Sequence, residues 1–211
     1  MTTIYLVRHG QTAWNKEEVF RGRADISLNE VGRKEALMTG QCLEKVEVDS
    51  IYSSPLSRAI ETAEAIARFH GKELLVSQGL IDIDFGQWQG LSHETVRERY
   101  GELYQRWKKN PHLVRFPEGE SLEEVRKRAL RVIDEILQDH VNETLVMVSH
   151  RVVNKTLLCG LLGLDNSHFW EIGQDTACIN VLEFDEGFIL RRLNDTCHLT
   201  DIEGERVHID F

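Results

Sequence analysis

At 211 residues, the chain is long enough for one α/β domain and too short for two ordinary ones, so residues 1–211 are read as a single domain that needs neither metal nor disulfide to fold. The formal net charge of −10, with no basic run, argues against a general nucleic-acid or anionic-membrane binder. No apolar stretch approaches the roughly 20 residues of a membrane helix, and 41% hydrophobic with 28% charged residues excludes a disordered or fibrous chain.

The opening segment, Met1 to Gly10, lacks the basic start and cleavage site of an export signal, and the four cysteines form no CxxC pair. Reduced thiols and a cytoplasmic location are therefore expected. Thr3–Val7 reads as a strand that stops abruptly at Arg8-His9-Gly10. Leu28–Leu43 has helical spacing, with Val31, Ala36, Leu37 and Leu43 on or near one face. Val48–Tyr52 is a short strand, and Ser53-Ser54-Pro55 predicts a helix start with proline where its missing N–H is harmless. That helix runs through Ile60, Ala63 and Ile66 to His70-Gly71, and Glu73–Ser77 is a further strand.

Ser92–Lys108 is an amphipathic helical stretch broken near Gly101. Ser121-Leu122-Glu123-Glu124 is a capping box opening a long helix whose buried stripe is Val125, Ala129, Val132, Ile133, Ile136 and Leu137. Thr144–Val148 is the most hydrophobic strand and ends at Ser149-His150; Val152–Leu162 follows as a helix stopped by Gly163. Ala177–Phe184 and Phe188–Leu193 pair as a hairpin around Asp185-Glu186-Gly187. Strands alternating with helices predict a three-layer α/β/α sandwich with a mostly parallel central sheet.

Two strands end alike, each in an apolar run followed at once by a histidine: Val7-Arg8-His9 and Val148-Ser149-His150. Ligands of parallel sheets bind beyond the carboxyl ends of the strands. Neighbouring strands would place His9 and His150 face to face there; otherwise each histidine only caps its strand. Arg58 lies early in the helix after Ser53-Ser54-Pro55, where a helix N-terminus favours an anion, unless it is a plain surface arginine. With Arg8, these groups suit a phosphate dianion. No GxxxxGK[ST], GxGxxG or HExxH pattern supports a nucleotide-cradle or zinc-protease reading. His93 at a helix start reads as exposed, and Trp88, Trp107, Phe169 and Trp170 read as packing residues.

Arg8-His9-Gly10-Gln11-Thr12-x-x-Asn15 resembles the RHG signature of the histidine phosphatase superfamily, which includes phosphoglycerate mutases. The resemblance continues in order through Arg21-Gly22-x-x-Asp25-x-x-Leu28, Ser53-Ser54-Pro55-Leu56-x-Arg58, Phe85-Gly86-x-Trp88-x-Gly90, Gly119-Glu120-Ser121-Leu122 and Val148-Ser149-His150. It implies a phosphoglycerate mutase-like fold and a covalent phosphohistidine mechanism without metal or other cofactor. His9 would be the nucleophile, Arg8, Arg58 and His150 would hold the equatorial oxygens, Asn15 would contact the phosphoryl group, and Arg21 and Gly22 would line the mouth.

The resemblance places the proton donor four residues before the glycine of Phe-Gly-x-Trp, which is Asp82 where relatives usually carry glutamate. Asp84 is the rival; in a strand-like segment both would share a face, so motif position alone favours Asp82. Relatives often have glycines after the second histidine, whereas this chain has Arg151, which either reaches a second anionic group of the substrate or lies on the surface. Arg21 and Arg23 would steer anions into an otherwise acidic protein. The tail Asp195-Thr196-Cys197-His198-Leu199 resembles that of metal-independent phosphoserine phosphatases, where it helps to recognise substrate, although those enzymes carry histidine in place of Phe85. His198 is thus a candidate substrate contact.

The expected function is a phosphomonoesterase acting on a small phosphorylated metabolite, with phosphoserine, α-ribazole phosphate and phosphoglycerates as candidates. The alternatives are a phosphoglycerate mutase-type phosphoryl transfer, which the short span from Gly90 to Gly119 disfavours, and a catalytically silent phosphate-binding protein. The resemblance allows a homodimer without requiring one.

Overall fold

The computed structural model describes residues 1–205, apart from the side chains of Lys16, Glu203 and Glu205. Six strands form one sheet: β1 (Thr2–Arg8), β2 (Ser50–Ser53), β3 (Leu74–Val76), β4 (Thr144–Ser149), β5 (Ile179–Phe184) and β6 (Phe188–Asp195), in spatial order β3-β2-β4-β1-β5-β6. The first four in that order are parallel, and β5 and β6 are antiparallel additions at one edge. Strand alternation divides the core. Leu145 and Met147 face one cluster, with α6 (Leu122–Asp139) and α7 (Arg151–Leu161), while Val146 and Val148 face the other, with α2 (Glu30–Leu43) and α3 (Ser57–Ala67). The sandwich is the expected one.

Ser121 caps α6 as its sequence predicts, its hydroxyl accepting from Glu124 N while the Glu124 carboxylate accepts from Ser121 N. The amphipathic stretch divides at Tyr100 into α4 (His93–Arg99) and α5 (Gly101–Lys109). Trp88, Trp107, Phe116 and Phe169 are buried and form one aromatic cluster with Phe85 and Trp170, its contacts edge-on except for the tilted Trp107–Phe169 pair.

Two local expectations are corrected. Helix α3 begins at Ser57 with Leu56 as N-cap, so Pro55 lies upstream of it. Ser54 N still bonds Val148 O (3.0 Å), which keeps the chain extended past β2. The cap comes from a distant residue: Asp25 accepts from Ser57 N and Ser57 Oγ, both at 2.8 Å. In α2 the buried stripe is Gly32, Glu35, Ala36, Thr39, Gly40 and Leu43, and Leu37 is 45% exposed. The stripe is small because α2 rides close on α3: a Cβ at Gly40 would stand 2.7 Å from Ala65 O.

Candidate active site

Sheet register assembles the site. Val7 pairs with Val148 and Val148 with Ser53, so the residues just beyond the carboxyl ends of β1, β4 and β2 emerge side by side. These are His9, His150 and Ser54. The ladder extends to hold them, with His9 N donating to Ser149 O (3.0 Å). The rings of His9 and His150 lie 5.1 Å apart between centroids, tilted by 58°. The expectation that the two strands are neighbours is met.

The orientation of each ring is fixed. His9 Nδ1 lies 2.6 Å from Gly10 O, so it carries the proton and leaves Nε2 as the basic nitrogen. Burial and then the charges of Arg58, Arg8 and Arg21 hold the His9 pKa well below its ordinary value. His150 Nε2 lies 2.7 Å from Ser54 Oγ, and burial, Arg58 and His9 push its pKa down likewise. Both imidazoles are neutral near pH 7.

Around them lie the arginines. Arg58, in the first turn of α3, is buried; it donates from Nη1 to Ala24 O (2.8 Å) and from Nη2 to Gly22 O (2.7 Å) and Asp82 Oδ2 (3.1 Å). Arg8 is buried and donates to Gln174 O. Among the described residues, Arg8 Nε, Arg21 Nε and Arg58 Nε are buried donors without a protein acceptor, and His150 Nδ1 is a buried ring nitrogen without a hydrogen-bond partner. Unsatisfied buried donors are costly, and convergent ones favour an anion. The N-termini of α3 and α7 add their dipoles at the same edge of the sheet.

The segment carrying Asp82 is irregular, so the strand-like reading in which Asp82 and Asp84 share a face is corrected. Asp82 Oδ2 sits 3.1 Å from Arg58 Nη2 and 3.7 Å from His150 Nδ1. Asp84 turns away, accepting from Gly86 N at 2.8 Å and pairing with Arg23 at 3.5 Å. Of the two carboxylates, Asp82 is the one that reaches His150.

The pocket in front of His9 is lined by Arg21, Gly22, Asp82, Phe85, His93 and Arg151 among others. Burial and then the neighbouring charges of Arg8 and Arg151 lower the Arg21 pKa, as expected of clustered cations. His93, expected to be exposed, instead stacks on Phe20 (4.2 Å, 20°) with Nδ1 3.2 Å from Tyr104 Oη, and burial lowers its pKa to about 4. Asn15 is buried, and its side-chain oxygen accepts from Thr12 N and Oγ1 (2.9 Å each), bracing the loop after His9. His198 lies elsewhere: Leu199 and Ile202 pack with Val31 and Met38, which brings His198 Nε2 to 3.1 Å from Thr39 Oγ1 on α2.

Sequence reasoning missed Ser54, the carbonyl of Gln174 and Glu35, which accepts from Gln11 N (2.6 Å) and Thr176 Oγ1 (2.6 Å). A buried glutamate in the helical stripe of α2 was the available signal; the other two act through groups that any residue or any serine supplies.

Fold and site together define an α/β enzyme for phosphate esters. The sequence matches the histidine phosphatase superfamily (branch 1) over residues 4–196. It is 40% identical over 206 residues to phosphoserine phosphatase 1 of Hydrogenobacter thermophilus, covering 97% of this chain and 98% of that one. The fold is similar to that of Bacillus stearothermophilus YhfR, with TM-score 0.90 and 33% identity, covering 94% of this chain and 100% of the other. It is also similar to a histidine-to-alanine mutant of phosphoserine phosphatase from Entamoeba histolytica in complex with phosphoserine, with TM-score 0.85, 30% identity and coverage of 94% and 100%. The chain belongs to the histidine phosphatase superfamily, and it is a phosphatase.

Proposed function

We propose that the protein hydrolyses a small phosphate monoester by way of a phosphohistidine on His9. The observation that carries this is the fixed tautomer: Nδ1 held by Gly10 O at 2.6 Å leaves neutral Nε2 facing the pocket amid Arg8, Arg58 and His150. Nε2 attacks phosphorus in line as the ester P–O bond breaks, and the departing alkoxide takes a proton from Asp82. Arg8, Arg58 and His150 hold the equatorial oxygens through the transition state. Water then attacks phosphorus in line, giving up a proton to Asp82, as the N–P bond breaks and its electron pair returns to His9 Nε2, and inorganic phosphate leaves.

The proton that Asp82 passes to the leaving oxygen enters with the monoester, bound as its monoanion, and Asp82 relays it. Asp82 Oδ2 lies 3.1 Å from Arg58 Nη2 and 3.7 Å from His150 Nδ1, because the loop that carries this shorter acid lies close against His150.

The surplus of guanidinium groups at the mouth, Arg21 and Arg151, suits a substrate with a second anionic group. The named activities of the relatives point the same way, which makes phosphoserine the leading candidate ahead of phosphoglycerates and α-ribazole phosphate. Gly22 lines the pocket, and Asn15 braces the loop after His9. On this reading residues 1–211 act as one phosphatase domain, in the cytoplasm and without a metal ion. His9→Ala should abolish both turnover and the acid-labile phosphoenzyme trapped by acid quench; turnover retained above about 1% of the wild-type rate would overturn the nucleophile assignment, since losing a covalent catalyst costs several orders of magnitude.

A further inference from the structure

Residues 81–85, which carry the acid, have no regular secondary structure, yet the backbone is gripped at Gly79, Ile81, Asp82 and Asp84 by one side chain and its partners. Arg128, on α6 and behind the pocket-lining residue Asp82, donates from Nη1 to Gly79 O (2.8 Å) and Ile81 O (2.6 Å) and from Nη2 to Asp82 O (3.1 Å). Its remaining donors engage Glu120, Nε to Oε1 at 2.9 Å and Nη2 to Oε2 at 3.1 Å. Glu120 in turn takes Asp84 N at 3.0 Å, and its own N–H donates to Asp84 O at 2.9 Å. Arg23 closes the cluster from the entrance loop, reaching Glu120 Oε1 at 3.2 Å and Asp82 O at 3.4 Å.

Arg128 and Glu120 are mostly buried, at 19% and 17% side-chain exposure, so solvent does little to screen the pair. A fork of five donors satisfied by three carbonyls and a carboxylate has a single geometry, because the guanidinium is planar and rigid. That geometry is transmitted to the carboxyl group. With the Asp82 carbonyl held from α6 and Asp82 Oδ1 held by Ile83 N at 2.9 Å, Oδ2 is left only the position between Arg58 and His150. A shorter acid cannot compensate for a displaced backbone by uncoiling its own side chain, as a glutamate can.

We infer that Arg128 is a positioning residue for the proton donor: with Glu120 it clamps residues 79–84 so that Asp82 Oδ2 meets the leaving oxygen. The inference rests on the proposed role of Asp82. Arg128 touches neither substrate nor the reacting atoms, and its effect on the reaction passes through the carbonyls it holds.

The consequence is a dependence on the leaving group. p-Nitrophenolate departs with little need of a proton, whereas an alkoxide needs one. Arg128→Gln should therefore lower kcat/KM, which covers only the steps through release of the alcohol and leaves out the phosphoenzyme hydrolysis that all esters share, by about 10-fold or more on glycerol 2-phosphate and by less than about 3-fold on p-nitrophenyl phosphate, given that a positioned acid contributes on the order of 10²–10⁴. The Kd of inorganic phosphate should stay within about 2-fold, an amount equal to less than half a kcal/mol. Arg128→Lys, which keeps the charge without the fork, should restore only part of the loss. If Arg128→Gln does not fold, Glu120→Gln tests the same clamp from its other half.

An equal loss on both esters, or no loss on either, would overturn the inference, since general loosening of the fold does not sort substrates by leaving group. Asp82→Asn separates the two layers of the argument. If it spares glycerol 2-phosphate, Asp82 is not the donor and the clamp has nothing to position; if it shows the selective loss and Arg128→Gln does not, the donor stands and the clamp is wrong.

Discussion

Arg58 and Asp82 form an ion pair of 3.1 Å between side chains with 0% and 9% exposure, and the same carboxylate lies 3.7 Å from His150 Nδ1 in the pocket that His9 lines. A buried pair of this kind costs much of its attraction in lost hydration and is a poor reason for stability. Its use is positional. The carboxylate keeps the guanidinium from closing on other acceptors, and the guanidinium keeps the carboxylate beside His150.

That relationship makes a binding prediction. Asp82→Asn removes negative charge next to the anion site while preserving a hydrogen-bond acceptor for Arg58. Inorganic phosphate should bind more tightly to this variant by roughly 3- to 30-fold, the effect of about 1–2 kcal/mol at an intermediate effective dielectric. Isothermal titration calorimetry checks it, and weaker binding would contradict the charge argument.

Stability should fall in mild acid. The folded-state pKa values of His9 and His150 are depressed below 6.5, chiefly by burial and then by Arg58. Below about pH 6.5 the unfolded chain takes up protons that the folded chain refuses, so unfolding is favoured as pH drops, by up to about 1.4 kcal/mol per pH unit for each histidine. Urea midpoints between pH 8 and pH 5 should decline, and His150→Asn should decline less steeply. By the same sign, loss of kcat/KM through protonation of His9 should begin only below pH 6.5.

Two backbone contacts behind His9 admit no side chain. A Cβ on Gly32 would stand 2.0 Å from Gln11 O, and one on Gly10 would stand 2.5 Å from Gly32 O. Gly32→Ala must push the first turn of α2 away from the loop that carries His9. A cost of about 1–3 kcal/mol, as for overpacked cores, together with reduced kcat is expected. Gly71→Ala is the comparison: its φ of +61° is strained, but nothing lies within 4 Å, so it should lower stability modestly and leave kcat unchanged. Thermal melts and steady-state kinetics on both variants decide.

Arg151 lies in the pocket wall at the start of α7. Arg151→Gln should raise KM for phosphoserine and 3-phosphoglycerate by about 10- to 100-fold, the worth of a hydrogen bond to a charged group. KM for phosphoethanolamine and p-nitrophenyl phosphate, which lack a carboxylate, should move by less than about 3-fold, below about 0.7 kcal/mol. A uniform rise would show that Arg151 serves the phosphoryl group instead.

The amino-acid sequence alone determined whatever depends on neighbours along the chain. Alternation and apolar runs located the strands, the Ser121 capping box located the start of α6, and the matched endings Val7-Arg8-His9 and Val148-Ser149-His150 marked the edge of the sheet that does chemistry. The ordered motifs carried the family. What only the tertiary structure decided are contacts between residues tens of positions apart. Asp25 starts α3 from 32 residues away, Arg128 grips Gly79, Ile81 and Asp82 across more than 40, and Asp82 is separated from Asp84 by which carboxylate reaches Arg58. His93 is drawn in by the face of Phe20 and His198 is drawn to α2 by the burial of Leu199 and Ile202. Such choices are settled by packing and by pairing of buried polar groups, which act through space and leave no periodic trace in the order of residues.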